Sequence, residues 1–548
     1  MKFLKVFLNS LISGLFFSAL LAVLIYDINI NTEFSLPFLG QITLFLMITY
    51  GSAIFIFSII IFFIIQFISG KNIQLFYISP PFLSLSFSLI IFLFLLIFRS
   101  NYHYFHSFFS PFTENLIQFQ FIALTILAFS GLIIFFTYLR KRKPGVMWVY
   151  FILFSLTMSL VIYQRTRYPS INLPEKVAHL QAKKIHKRVT LIGMKGLSFD
   201  FIIPLINEDK LPNFSWLMEE GSWGRLKSFP PTDEVILKSS LNTGKLPFNH
   251  RRISPFQYKL WNTHRKIEVV PRYIFFRQLL RAGILQIEPQ QPPTYTKDIW
   301  KIFQDNHTPF LLKTNPEEKN WENPSPKSQT LFNLFYKDLN FETSDIFQKA
   351  KKAFYSDCEF ELNVMEEKNQ VQPQLLSFHL DGLNTVEAYF YQYSFPDLFG
   401  DIEQEELNKF SGVIERYYQF YDQIIGKHLA SLKENELLVV YSPYGIEPLP
   451  LWKRFVEWML GNAEISAYHE MAPEGVVFFY GTEVVRGEYV EKTKLIDIAP
   501  TILYYLGLHV GLDMDGIAKT SVFKEEFRAE NPVPYISSYD EITIKSPQ

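Results

Sequence analysis

The sequence predicts a membrane protein in two parts: an N-terminal α-helical bundle of about five transmembrane helices, then a water-soluble α/β domain. The domain is expected to hold a central, mainly parallel sheet flanked by helices. Three observations carry this. Up to about Tyr163 the chain is a succession of Phe-, Ile- and Leu-rich blocks with few charges, and nearly all the Lys, Arg, Asp and Glu lie beyond it. The blocks are near or above the roughly 17 residues that a tilted span requires. After Lys187, short apolar runs alternate with longer amphipathic stretches, the pattern of an α/β domain. At 548 residues the chain also exceeds the roughly 250 to 300 at which a single core stops growing.

The apolar runs lie near 6–26, 40–68, 76–98, 117–139 and 146–163. In hydrocarbon each backbone amide must be satisfied within its own segment, so these runs are expected as helices. The first has Lys2 and Lys5 ahead of a long apolar stretch and no small-x-small site before Asp27, the pattern of an uncleaved anchor. The cluster Arg140-Lys141-Arg142-Lys143, with Lys2, Lys5 and Lys71, falls on one side of an alternating topology, while Arg99, Arg165 and Arg167 fall on the other. The larger cluster places the N-terminus in the cytoplasm and the domain outside, in the periplasm of a cell with an inner membrane. No Asp, Glu, Lys or Arg occupies the middle of a span, which argues against a proton or ion pathway. Ser10, Ser13, Ser18, Thr49 and Ser52 read as small packing residues. His103 and His106, beside Tyr102, Tyr104 and Phe105, read as an interfacial aromatic belt.

The net charge of −1 and the short basic pairs Lys183-Lys184 and Lys187-Arg188 leave no electrostatic footprint for nucleic acid. Membrane lipids and other envelope or membrane proteins are the expected partners. A single cysteine, Cys358, excludes intrachain disulfides and cysteine-based metal sites. The expected divisions are a helical membrane region at 1–168, a linker at 169–187, a soluble domain at 188–530 and a tail at 531–548.

In the soluble part, Val189-Thr-Leu-Ile-Gly193 reads as a buried first strand ending in a glycine turn. Leu375–Leu380, Leu437–Tyr441 and Gly475–Tyr480 are further central strands, each running into polar or turn residues. In an open parallel sheet those C-terminal ends form the ligand crevice.

Several local sequences then stand in a telling order: Val189-Thr-Leu-Ile-Gly-Met-Lys-Gly196, Leu211-Pro-Asn213, Leu217-Met-Glu-Glu-Gly221, Gly224-Arg-Leu226, Pro230-Pro231 and Thr243-Gly-Lys-x-Pro247-x-x-His250. The run Asp497-Ile-Ala-Pro-Thr-Ile-Leu503 through Leu506-Gly507 to Met514-Asp-Gly516 follows near the C-terminus. Together they resemble the type I phosphodiesterase/nucleotide pyrophosphatase family of the alkaline phosphatase superfamily. The resemblance covers roughly 185–255 and 372–520. It implies an alkaline-phosphatase-like fold, with the stretch at about 252–370 as a cap-like insertion over the site.

The resemblance also implies a two-metal phosphoryl-transfer site, in which two cations clamp the attacking and leaving oxygens. This chain departs from that pattern position by position. Lys195 stands where the family's first aspartate ligand stands, and an ammonium has no lone pair for a metal. The nucleophile position falls at Asp233 or Glu234, with Thr232 as the nearest hydroxyl. Asn384 and Ala388 replace a following aspartate and histidine, and Pro443 and Tyr444 replace an Asp-His pair. His469 matches the family's last histidine. Asp381, His379 and Glu387 are the only nearby substitutes, and a crevice site needs particular strand-end positions.

These departures imply a protein with no cofactor, in which the degenerate cleft binds or scaffolds rather than reacts. The alternative is an active metal-dependent phosphodiesterase or phosphotransferase, using zinc or manganese on phosphorylated envelope lipids or glycans, as membrane-anchored transferases of the superfamily have a similar layout. Lys195 has two readings: its ammonium pairs with Asp233 or Glu234, or it is a solvated lysine in an idle cleft.

Overall fold

Among the described residues of the computed structural model, five helices are long and apolar enough to cross a membrane: Leu4–Ile28, Leu36–Ile64, Pro80–Tyr104, Pro111–Tyr138 and Trp148–Thr166. Proline falls in the opening turn of the second and third, after Ser35 and Ser79, where its fixed φ and missing N–H suit a helix start. The structure describes residues 2–69, 77–141, 145–168, 186–260, 265–272, 276–289, 296–314, 324–337, 344–400, 402–459, 461–470 and 472–540. Lys71, Arg142, Lys143, Lys183, Lys184, most of the expected linker and the last residues of the tail lie outside these.

The chain divides into two compact units. One comprises Met1–Asn172 with Pro247–Pro293, the other Leu173–Leu246 with Thr294–Gln548. In the first, the opening helix is the central one, with Leu20, Leu21, Ala22 and Ile25 fully buried. It meets the second span through small residues. A Cβ added to Gly14 would lie 2.6 Å from the Gly51 carbonyl oxygen, so the absence of side chains there lets the two backbones touch. Ser13 and Ser86 hydrogen-bond at 2.8 Å. Arg165 ends the last span as a buried side chain, donating from Nε to the Tyr26 carbonyl at 3.1 Å and from Nη2 to the Thr32 carbonyl at 2.8 Å. Its charge is tolerated because carbonyls at the end of the first helix and in the turn that follows accept its protons.

The stretch 252–370 is shared between the two units. Its first part belongs to the helical unit, where Phe256–Leu260 pairs antiparallel with Lys266–Ile267 and Leu285–Pro289. Two asparagines of the bundle grip the backbone beside this sheet. Asn29 Oδ1 accepts from Glu268 N at 2.7 Å and Val269 N at 2.9 Å, and Asn101 Oδ1 accepts from Arg272 N at 2.7 Å. The later part builds the soluble domain, because the apolar run Phe310–Leu312 can extend the main sheet.

That sheet contains β1 (Arg188–Met194), β2 (Ser222–Lys227), β3 (Phe310–Leu312), β4 (Leu375–Leu380), β5 (Glu436–Tyr444), β6 (Glu474–Tyr480) and the short β7 (Glu488–Tyr489) and β8 (Thr493–Lys494). The order is β7-β2-β6-β5-β1-β4-β3, with β8 also on β2. β1 runs parallel to β4 and β5, whereas β6 is antiparallel to both β2 and β5. The central strands are continuous apolar runs because cores cover both faces. One core holds Ile192, Phe378 and Val440 with Phe354, Tyr417 and Ile424, and the other Leu191, Val439 and Val477 with Leu237, Ile498 and Leu503. Each such side chain contributes about 1.5 to 3 kcal/mol on leaving water. Four helices carry residues of the site region: α1 (Glu234–Thr243), which lines the crevice, and α2 (Asp345–Val371), α3 (Gly382–Ser394) and α4 (Val413–Ala430).

Candidate functional site

The register of the three central strands builds the site. Gly193 of β1 lies opposite His379 of β4 on one side and Tyr441 of β5 on the other. Side chains two apart share a face, so Lys195 and Asp381, just past the ends of β1 and β4, and Pro443, still within β5, continue the same row. His379 Nε2 and Tyr441 Oη are 2.6 Å apart, bridging over Gly193. A Cβ at 193 would lie 2.5 Å from His379 Cδ2 and 3.0 Å from Tyr441 Oη, so glycine makes the bridge possible.

Above it sits Lys195. Its Nζ is 2.9 Å from Glu234 Oε2 and 3.0 Å from Asp381 Oδ1. The lysine therefore pairs with Glu234, as one reading expected, and with Asp381, while Asp233 turns elsewhere. Asp233 caps α1, accepting from Val235 N at 2.9 Å and Ile236 N at 3.4 Å, a helix-start role open to any short side-chain acceptor. Burial alone would lower the Lys195 pKa, but Asp381, Tyr444 and Glu234 together outweigh it and raise it. The ammonium is fixed in its charged form. Conversely, burial, with the nearby Lys238 and Lys195, holds His379 at about 3, so this imidazole is neutral.

The other expected positions separate. Tyr444 stacks on His469, with ring centroids 4.4 Å apart and 12° between planes. His469 is thus held by an aromatic neighbour, and its pKa is lowered by burial and by Lys195. Ala388 contributes only its carbonyl, accepting from Ser466 N at 2.8 Å. Thr232 is half-buried in the loop before α1, and Asn384 lies in the first turn of α3. Glu387 is fully buried, accepts from Tyr418 Oη at 3.0 Å, and is driven by burial well above the usual carboxylate range. Hence Asp381, His379 and Glu387, the three substitutes the sequence offers, face three different partners: a lysine, a tyrosine and another tyrosine.

One residue of the site region was missed. Asp357 of α2 accepts from Gly382 N at 2.9 Å, Tyr417 Oη at 2.9 Å and Tyr421 Oη at 2.7 Å, fixing the turn that presents Asp381. The sequence did carry a signal, since Asp357 falls on the buried stripe of an amphipathic helix, between Phe354 and Glu361. A buried acid on such a stripe needs donors from elsewhere.

Gly193, Lys195, Glu234, Lys238, His379 and Tyr441 help line a cavity of about 30 Å³, room for a water or two. These residues do not fit a pair of dications. The carboxylates near Lys195 are already matched by an ammonium, which would repel a metal. Among the described residues no group of three or more His, Cys, Asp or Glu is placed to hold a metal ion.

The type I phosphodiesterase/nucleotide pyrophosphatase family profile matches residues 189–501. Among solved structures, the phosphonate monoester hydrolase of Silicibacter pomeroyi is 15% identical with a TM-score of 0.37, over 62% of this chain and 76% of that one. Murine ectonucleotide pyrophosphatase/phosphodiesterase 5, an inactive variant in complex with AMP, is 11% identical with a TM-score of 0.34, over 62% of this chain and 100% of that one. Comparison with curated proteins gave no match.

Proposed function

Given that the chain belongs to the type I phosphodiesterase/nucleotide pyrophosphatase family, we propose that it is a membrane-anchored member that binds or scaffolds in the cell envelope without catalysing phosphoryl transfer. Its domain faces the periplasm, and its partners are membrane lipids and other envelope proteins. One observation carries the reading: the Lys195 ammonium stands 2.9 Å and 3.0 Å from Glu234 and Asp381, at the strand end where the family resemblance calls for a metal-bound aspartate. A fixed cation there offers charge neutralisation of two carboxylates but neither a Lewis acid nor an activated nucleophile. The five spans support the envelope role, since one span suffices to tether a domain and further helices supply a packing surface.

The test uses the purified full-length chain in detergent. Metal content and hydrolysis of a chromogenic phosphodiester are measured with and without added zinc or manganese. Substoichiometric metal and no hydrolysis above buffer are expected. Stoichiometric zinc or manganese, with hydrolysis abolished by a chelator, would overturn the reading and establish the active alternative.

A further inference from the structure

Among the described α-helices of the second unit, one is not used by its core. Leu451–Met459 has no buried residue. Leu451, Trp452, Phe455, Val456, Trp458 and Met459 are 43% to 79% exposed. No other described helix of this unit carries more than one exposed large apolar side chain. Six such side chains on nine residues amount to several hundred Å², above the few hundred typical of a free surface.

The helix's charges are already spent on its own unit. Lys453 pairs with Glu470 at 2.5 Å and lies over the Tyr468 ring at 3.9 Å. Arg454 donates from Nε to the Leu449 carbonyl at 2.6 Å and lies over the Phe399 ring at 4.0 Å. Glu457 accepts from Asn462 Nδ2 at 2.9 Å. These contacts staple the polar side down and leave Trp, Phe, Leu and Met outward, with none of the helix's own charged groups turned towards that face to build the polar rim of a protein interface. Outward Trp and Phe with long aliphatic side chains suit the headgroup and acyl boundary of a bilayer.

Chain length adds a second argument. The last span ends at Thr166 and β1 begins at Arg188, so the residues between reach at most about 70 Å when extended. The chain passes between the two units again at Leu246–Pro247 and Pro293–Thr294. A domain of this size has a radius of gyration of only about 20 Å, so lipid is within reach of its surface at high local concentration.

We propose that the helix Leu451–Met459 lies flat in the headgroup region of the membrane that the spans cross, with its apolar face in lipid. This holds whether or not the crevice turns over substrate.

The experiment places an environment-sensitive fluorophore at Trp458→Cys in the full-length chain, one copy per nanodisc of phosphatidylcholine and phosphatidylglycerol. Cys358 is buried, so labelling is directed to position 458, and an unchanged melting temperature confirms the fold. Quenching severalfold stronger by lipid spin-labelled near the headgroup than by aqueous iodide is expected. Full iodide quenching with no effect of the spin-labelled lipid would overturn the proposal, pointing to a face awaiting a protein. Protection from iodide that appears only when two copies share a bilayer, without lipid quenching, would overturn it in favour of a self-association surface.

Discussion

A lysine stands beside a carboxylate at each end of β1, and the two clusters differ in how far their acids are exposed. At the N-terminal end, Glu436 Oε1 accepts from Thr190 Oγ1 at 2.6 Å and from Lys368 Nζ at 2.8 Å. Glu436 is 2% exposed and Lys368 15%. At the C-terminal end, Lys195 is 12% exposed while Glu234 and Asp381 are 49% and 36%. In both clusters the cation is nearly buried; in the first the acid is sealed with it, whereas in the second the acids are partly open to water. A sealed carboxylate stripped of water needs every partner it has, whereas wet carboxylates find water when a partner is lost. The first pair therefore holds the fold together, and the second sets the charge of a crevice.

Substitutions at the two ends can break or sharpen this contrast. The largest effect is expected for Glu436→Ala, which removes the sealed acid and strands Lys368 and Thr190, at a cost of about 3 kcal/mol. Thermal unfolding of the full-length chain would show it, and a loss no larger than that at Lys195 would erase the distinction. Next comes Gly193→Ala in the row between the clusters. Its Cβ would press on His379 and Tyr441, and overpacking of this kind costs about 1 to 3 kcal/mol; an unchanged melting temperature would mean that the histidine and tyrosine can part freely.

Lys195→Ala should matter least for stability, about 1 kcal/mol or less, but it should register in the pH response. His379 is held at about 3 against an ordinary 6.5, by burial first and then by Lys238 and Lys195. A base depressed in the folded state adds stability that is present above pH 6.5 and lost as pH falls towards 3. Without Lys195 the His379 pKa should rise and the acid loss shrink, measurable by histidine resonances and by melting temperature against pH. A His379 titration identical to that of the parent chain would show that Lys195 does not act on the crevice at all.

Much of the architecture was legible in the chain. Spans and central strands are long apolar runs, and such runs report burial directly, because an uncharged stretch has nowhere else to go. The site was legible only as a set of aligned positions. Lys195 was visibly unfit to bind a metal, yet its second partner, Asp381, comes from a strand neighbour 186 positions away in the chain, and spacing alone could not choose it over Asp233. The division of the middle region was hidden for a similar reason. A continuous stretch looked like one insertion, but Phe310–Leu312 joins the main sheet while Asn29 and Asn101 bind the segment around Glu268 and Arg272. Asparagine amides gripping a remote backbone leave no periodic trace.

By itself the sequence determined the two-part architecture and the family, because these depend on composition and local order. The tertiary structure alone decided that Lys195 closes a three-membered ion cluster, that His379 and Tyr441 meet across Gly193, and that the apolar face of Leu451–Met459 remains uncovered. Each of those depends on strand register or on which surface the core leaves over, and both are settled only when distant segments pack.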